Sequence, residues 1–221
     1  MPAPNLYQLP HSPFCLPIAQ ALTAWQVPFS VTNVSNGNRR EIVELTNGSS
    51  YEVPVLVHGD RIVFEHSADS QNVARYVDSM FAHGALFPAR WEGIQSVLLP
   101  YLERDVEGLT FRLTDIHYIP AIADLTERTL VIRHKERRFG RGCVDQWRQQ
   151  RESLAEQAAT AMHPFELMLQ ETPYLLDQQP VYADFLLHGI LQNLTWNHWN
   201  PLPPLARMTE WFQRLSAYRH G

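Results

Sequence analysis

Two hydrophobic periods divide the chain. Up to about residue 77, short β-rich runs alternate with helical ones. Residues 5–9 form a strand candidate, after which Cys15, Ile18, Ala19, Leu22 and Trp25 recur at helical spacing. A second strand over 29–34 closes on the turn-forming Ser35-Asn36-Gly37-Asn38, and a short helix over 39–45 ends at Asn47-Gly48. Residues 53–57 and 61–64 read as a hairpin around His58-Gly59-Asp60. Val73, Tyr76 and Val77 mark one more helix. The order β-α-β-α-β-β-α predicts a mixed sheet with helices on its faces.

Past Phe87-Pro88 the strand signals cease. Residues 91–105, 123–138, 144–170, 183–196 and 204–218 carry apolar residues at i, i+3, i+4 spacing. The predicted organisation is therefore α/β plus all-α. An α/β domain covers 1–80, a linker 81–88 and an all-helical domain 89–221.

Composition narrows the function classes. The 221 residues are 45% apolar and 19% charged, enough to bury a substantial core. Eighteen basic side chains against 23 acidic leave a formal charge of −5, which argues against a nucleic-acid or anionic-membrane partner. Lys135 is the only lysine. Two cysteines, Cys15 and Cys143, are too few for a disulfide framework, so a reducing, cytoplasmic setting is expected. No apolar run is long enough to span a bilayer, and the first residues lack the basic-then-apolar pattern of a signal peptide. The ten histidines show no metal-ligand spacing, so no metal is expected.

The candidate chemistry begins where the first strand runs into Pro10-His11-Ser12-Pro13-Phe14-Cys15. Pro17 is tolerated only in a first helical turn, which sets the helix start near Phe14 or Cys15 and leaves Ser12 just ahead of it. A hydroxyl at a helix N-terminus can donate to a bound thiolate, and a cysteine there has its own pKa lowered. The simpler alternative makes Ser12 a cap and Cys15 a small core residue.

This loop, followed by Val53-Pro54 at the start of a strand, resembles the thioredoxin-like domain of glutathione S-transferases, a family in which an all-helical domain follows. Ser12-Pro13-Phe14-Cys15 resembles the Ser-x-x-Cys loop of serine-type members, and Gly140-Arg141-Gly142-Cys143 with Gln146-Trp147 resembles a bacterial subgroup of the family. The Ser12 loop also has the spacing of the glutaredoxin C-P-x-C loop with its first cysteine replaced. The resemblance implies that Ser12 contacts the glutathione sulfur, with Cys15 as the alternative. It implies a cis peptide at Val53-Pro54 and a pairing of the Val53 backbone with the cysteinyl unit of glutathione. Asp69-Ser70-Gln71-Asn72-Val73-Ala74-Arg75-Tyr76-Val77 resembles the family's Glu-Ser-x-x-Ile-x-x-Tyr-Leu segment. Ser70 would then hold a carboxylate at a helix start and Asp69 an ammonium, the two charges of a γ-glutamyl end. A rival register, Glu65-His66-Ser67, lies nearer the usual distance from the proline but lacks the following apolar positions, so Asp69-Ser70 is preferred.

In the helical region, Pro180-Val181-Tyr182-Ala183-Asp184-Phe185 resembles the family's capping box with the hydroxyl residue replaced by Val181, leaving Asp184 to cap. Residues 133–143 are the most basic stretch. They read either as a solvated helix end or as a patch for an anionic co-substrate or the glycine carboxylate of glutathione. Tyr118, Trp196 and Trp199, with His117 and His198 beside them, are candidates for a second, hydrophobic site, or simply core. The implied activity is a glutathione-dependent transferase. It would activate the glutathione thiolate, as co-substrate, for attack on a small electrophile, in a homodimeric protein. The alternatives are a cysteine-dependent thiol reductase or glutathione lyase, and a non-catalytic binding protein of the same fold.

Overall fold

The computed structural model describes residues 2–65 and 71–221. Four short strands form one sheet in the order β2-β1-β3-β4, with β1 at Asn5–Gln8, β2 at Ser30–Asn33, β3 at Val55–His58 and β4 at Arg61–Phe64. β1 and β2 run parallel, as a strand pair joined through a helix must; β3 is antiparallel to both β1 and β4. That helix, α1 (Leu16–Ala24), has Pro17 in its first turn, where its missing N–H costs nothing. The β3–β4 hairpin is narrower than the sequence suggested. His58 pairs with Arg61, so only Gly59 and Asp60 form the turn, and Gly59 supplies the positive φ of 61° such a turn needs. The Val53–Pro54 peptide is cis.

Leu6 and Leu56 of the sheet pack with Ile18 and Leu22 of α1 and with Val73 and Val77 of α3 (Asn72–Val77), all buried. The short α2 (Arg40–Leu45) buries Ile42. Beyond Pro88 the chain is helical among the described residues: α4 (Glu92–Tyr101), α5 (Glu107–Ala121), α6 (Leu125–Phe139), α7 (Cys143–Gln149), α8 (Arg151–Met168), α9 (Tyr182–Leu194) and α10 (Ala206–Ala217). Sheet and helices together follow the α/β-then-helical order that the resemblance implied. No helix among the described residues is long and apolar enough to cross a membrane.

Two helix assignments differ from the sequence pattern. The span 144–170 is two helices separated at Gln150. α5 was missed because its buried face holds Thr110, Thr114 and Asp115 among the apolar residues, which erases the hydrophobic stripe. α9 is the central helix, with nearly every residue buried. Its start is closed by Asp184, whose carboxylate accepts from the Val181 and Leu175 amides at 3.0 and 2.9 Å and from Trp211 Nε1 at 2.9 Å. Val181 has no hydroxyl to return the bond, so Asp184 makes the cap alone.

Candidate functional site

The turn ahead of α1 is wound tightly around Ser12. The Ser12 amide donates to Leu9 O, while the Cys15 and Leu16 amides donate to Ser12 O. Ser12 Oγ accepts from the Phe14 and Cys15 amides, both at 3.3 Å. Ser12 is almost wholly enclosed, yet it lines a cavity of about 370 Å³ between the sheet unit and the helices. Cys15 has no exposed surface, and burial pushes its thiol up to about 11. Desolvation therefore outweighs the lowering expected at a helix N-terminus, and Cys15 stays a neutral thiol at ordinary pH.

Helix α9 holds this turn from behind. Gly189 faces it so closely that a Cβ there would stand 2.5 Å from Pro17 Cδ and 2.9 Å from Pro13 O. One turn on, Asn193 Nδ2 donates to His11 O at 2.6 Å, and Thr114 Oγ1 of α5 donates to Asn193 Oδ1 at 3.0 Å. The His11 ring lies 4.2 Å from that of Tyr118, and burial, helped by Lys135 and Arg39, lowers its pKa to about 4. His11 is therefore neutral at pH 7.

The loop between β2 and α2 forms a second wall, tied to the helices. Ser35 Oγ and the Gly37 amide both donate to Glu127 Oε1, at 3.0 and 3.1 Å, and Asn36 Nδ2 donates to the Tyr118 hydroxyl at 2.5 Å. Arg39 donates through Nη2 to Asn36 Oδ1 at 2.8 Å. Its Nη1 is buried and has no hydrogen-bond partner among the described residues. The third wall belongs to α5 and α6: Glu107, Phe111, Asp115, Val131, Lys135 and Arg137. Lys135 Nζ sits 2.7 Å from Asp115 Oδ2 and 4.6 Å from the centre of the Phe111 ring. Burial raises the carboxyls of both Asp115 and Glu107, Glu107 to about 7.

At the start of α3, Glu65 accepts from the Asn72 and Val73 amides at 2.7 and 3.2 Å, filling the role of cap. Asp69 and Ser70 lie outside the described residues. Of the second-site candidates, Tyr118 lines the cavity. Trp196 and Trp199 stand behind it, 6.2 Å from His11 and 6.4 Å from Tyr118 between ring centres, and Trp199 also stacks on His117.

Residues 6–84 match the family described as glutathione S-transferase, N-terminal domain. The α/β unit is similar to that family over this span. No curated protein matches the chain in sequence. Solved structures match its whole length. A glutathione transferase from Phanerochaete chrysosporium is 13% identical with a TM-score of 0.81, over 100% of this chain and 99% of its own. A glutathione S-transferase of Ceriporiopsis subvermispora, solved with glutathione, is 15% identical with a TM-score of 0.79, over 97% and 98%. Glutaredoxin 2 from Salmonella typhimurium, also in complex with glutathione, is 20% identical with a TM-score of 0.73, over 98% and 95%. At these identities the likeness is one of fold.

Around Ser12, the structure gathers residues that the sequence did not single out. Arg39, Asn36, Glu107, Asp115 and Asn193 all line the Ser12 cavity. Only the basic stretch carried a usable signal, and it splits: His134, Lys135 and Arg137 line the cavity, whereas Arg133 pairs with Glu136 at 2.5 Å on the outside. Glu65, set aside in choosing the Asp69-Ser70 register, is found capping α3.

Proposed function

We propose that the protein is a glutathione-dependent transferase in which Ser12 donates to the glutathione sulfur and the thiolate attacks a small electrophile. The observation that carries this reading is the placement of Ser12 on the cavity wall. Its oxygen already accepts two amide hydrogens, so what its hydroxyl has left to offer is a donor. A donor to sulfur favours the thiolate, by about 1.4 kcal/mol for each unit the thiol pKa falls. On this reading Asp69 and Ser70 hold the γ-glutamyl end, and the Val53 backbone, beside the buried Pro54, pairs with the cysteinyl unit. Catalysis is then activation of the nucleophile together with proximity.

The buried, high-pKa Cys15 speaks against the cysteine-dependent reductase or lyase. The matching fold of glutaredoxin 2 keeps that reading as the second one. A homodimer in a reducing, cytoplasmic setting, with no nucleic-acid or membrane partner, belongs to the same proposal and is checked by sedimentation. The central experiment is calorimetry with glutathione. Wild type binds, and Asp69→Ala with Ser70→Ala abolishes binding without lowering Tm. Unchanged affinity in that variant removes the assignment, and loss in Glu65→Gln instead moves the γ-glutamyl site to Glu65.

A further inference from the structure

The chain carries 18 basic residues and a single lysine, and that lysine is not on the outer surface. Lys135 lies on the helical wall of the Ser12 cavity with 22% of its side chain exposed. We propose that the second substrate is an aromatic electrophile bearing a carboxylate, and that Lys135 selects it. The inference rests on the transferase reading and extends it to the chemistry of the partner molecule.

Three features on that wall carry it. First, the ammonium is held in place: Asp115 Oδ2 pairs with it at 2.7 Å, and the centre of the Phe111 ring lies 4.6 Å away. A positioned cation with donors to spare is suited to a carboxylate, and its charge strengthens such a hydrogen bond. Second, the adjoining lining is apolar. Phe111, Leu130 and Val131 line the same cavity as the ammonium and offer apolar contact to a ring. Third, the balance of charge on the cavity wall favours an anion. Among the described lining residues, three cations, Arg39, Lys135 and Arg137, meet two acids, Asp115 and Glu107, whose carboxyls burial raises, while Glu127 and Glu52 act on Arg39 from outside the lining. Arg39 comes from the sheet unit and Lys135 from α6, so each substrate meets a cation on its own side.

Matched probes test this: 4-chloro-3,5-dinitrobenzoate and its methyl ester. In each conjugation the glutathione sulfur bonds to the ring carbon bearing chlorine, chloride leaves with the bonding pair, and the thiol proton passes to water. Wild type should favour the benzoate in kcat/KM, each rate taken relative to the uncatalysed one. Removing Lys135 alone strands a buried carboxylate, so the variant is Lys135→Met with Asp115→Asn. It should lose about tenfold in kcat/KM for the benzoate, through KM, and keep the ester within twofold. Asp115→Asn alone retains the ammonium and should retain the preference. Equal use of both probes by wild type, or equal loss of both in the double variant, overturns the proposal.

Binding separates this outcome from a failure of the transferase reading. Calorimetry with unreactive 3,5-dinitrobenzoate and its methyl ester, with and without glutathione, should show the acid preferred and Lys135 required. That result alongside no conjugation of either chloro compound keeps the carboxylate site and sinks the transferase. No preference for the acid in binding removes the site.

Discussion

Ser12 and Cys15 stand three residues apart, and burial separates them chemically. Ser12 meets the cavity; Cys15 has no exposed surface and a thiol raised to about 11. Ser12→Ala should therefore raise the pH midpoint at which bound glutathione ionises, read from thiolate absorbance in the ultraviolet. It should slow turnover roughly 10²-fold, the scale for losing one donor to a developing anion. Cys15→Ala should keep most activity and cost about 1–2 kcal/mol of stability from the small cavity left behind. An inert Ser12→Ala paired with a dead Cys15→Ala would place the chemistry on the cysteine. This part of the site was legible in sequence because Pro17 fixes where α1 begins, and the helix start fixes Ser12. Lys135 was legible only as part of a basic stretch, and Asn193 not at all. Each sits in an ordinary helical pattern, and nothing local says that its face turns toward residue 12.

At the scale of elements, the Ser12 turn is only as well placed as the helix behind it. Gly189 allows α9 to approach the first turn of α1, since an added Cβ would stand 2.5 Å from Pro17 Cδ and 2.9 Å from a backbone oxygen. The proline ring is rigid and the oxygen is main chain, so neither yields cheaply. Gly189→Ala should cost about 1–3 kcal/mol, the range for overpacking, although alanine is the better helix former. Because the strain falls on Pro13, the variant should also lose glutathione affinity, measured by calorimetry below its lowered Tm. Unchanged affinity would show that the turn holds its own shape. Sequence pattern found most of the other elements because their apolar residues fall on one side. α5 escaped it, since its buried face carries Thr110, Thr114 and Asp115, of which Thr114 bonds Asn193 of α9 and Asp115 lines the cavity.

Across the whole molecule, ionisable groups have been drawn into the helical core, and His188 is the clearest. It is fully buried on α9, stacked 4.5 Å from Phe212. Ser216 Oγ donates to Phe212 O, so His188 Nε2, 2.9 Å away, is the donor to Ser216. Nδ1 then carries the lone pair, with no hydrogen-bond partner among the described residues. Protonating it would bury a charge that a backbone hydrogen bond to Phe212 offsets only in part, and its pKa falls from 6.5 to about 4. Between those values the unfolded chain holds the proton and the native one does not. His188 therefore contributes stability that is fully present above pH 6.5 and is lost as the pH falls toward 4. Glu107 and Asp184, whose carboxyls burial raises to about 7 and about 6, slope the other way over an overlapping range, so wild type alone cannot reveal the effect. A comparison can. His188→Gln keeps an amide donor for Ser216 and removes the titration. Urea unfolding of both proteins from pH 7.5 to 4.5 should show wild type losing about 2 kcal/mol more than the variant, most of it below pH 6.5. A gap that stays constant across that range would mean that the His188 ring is protonated in the folded protein as readily as in the unfolded one.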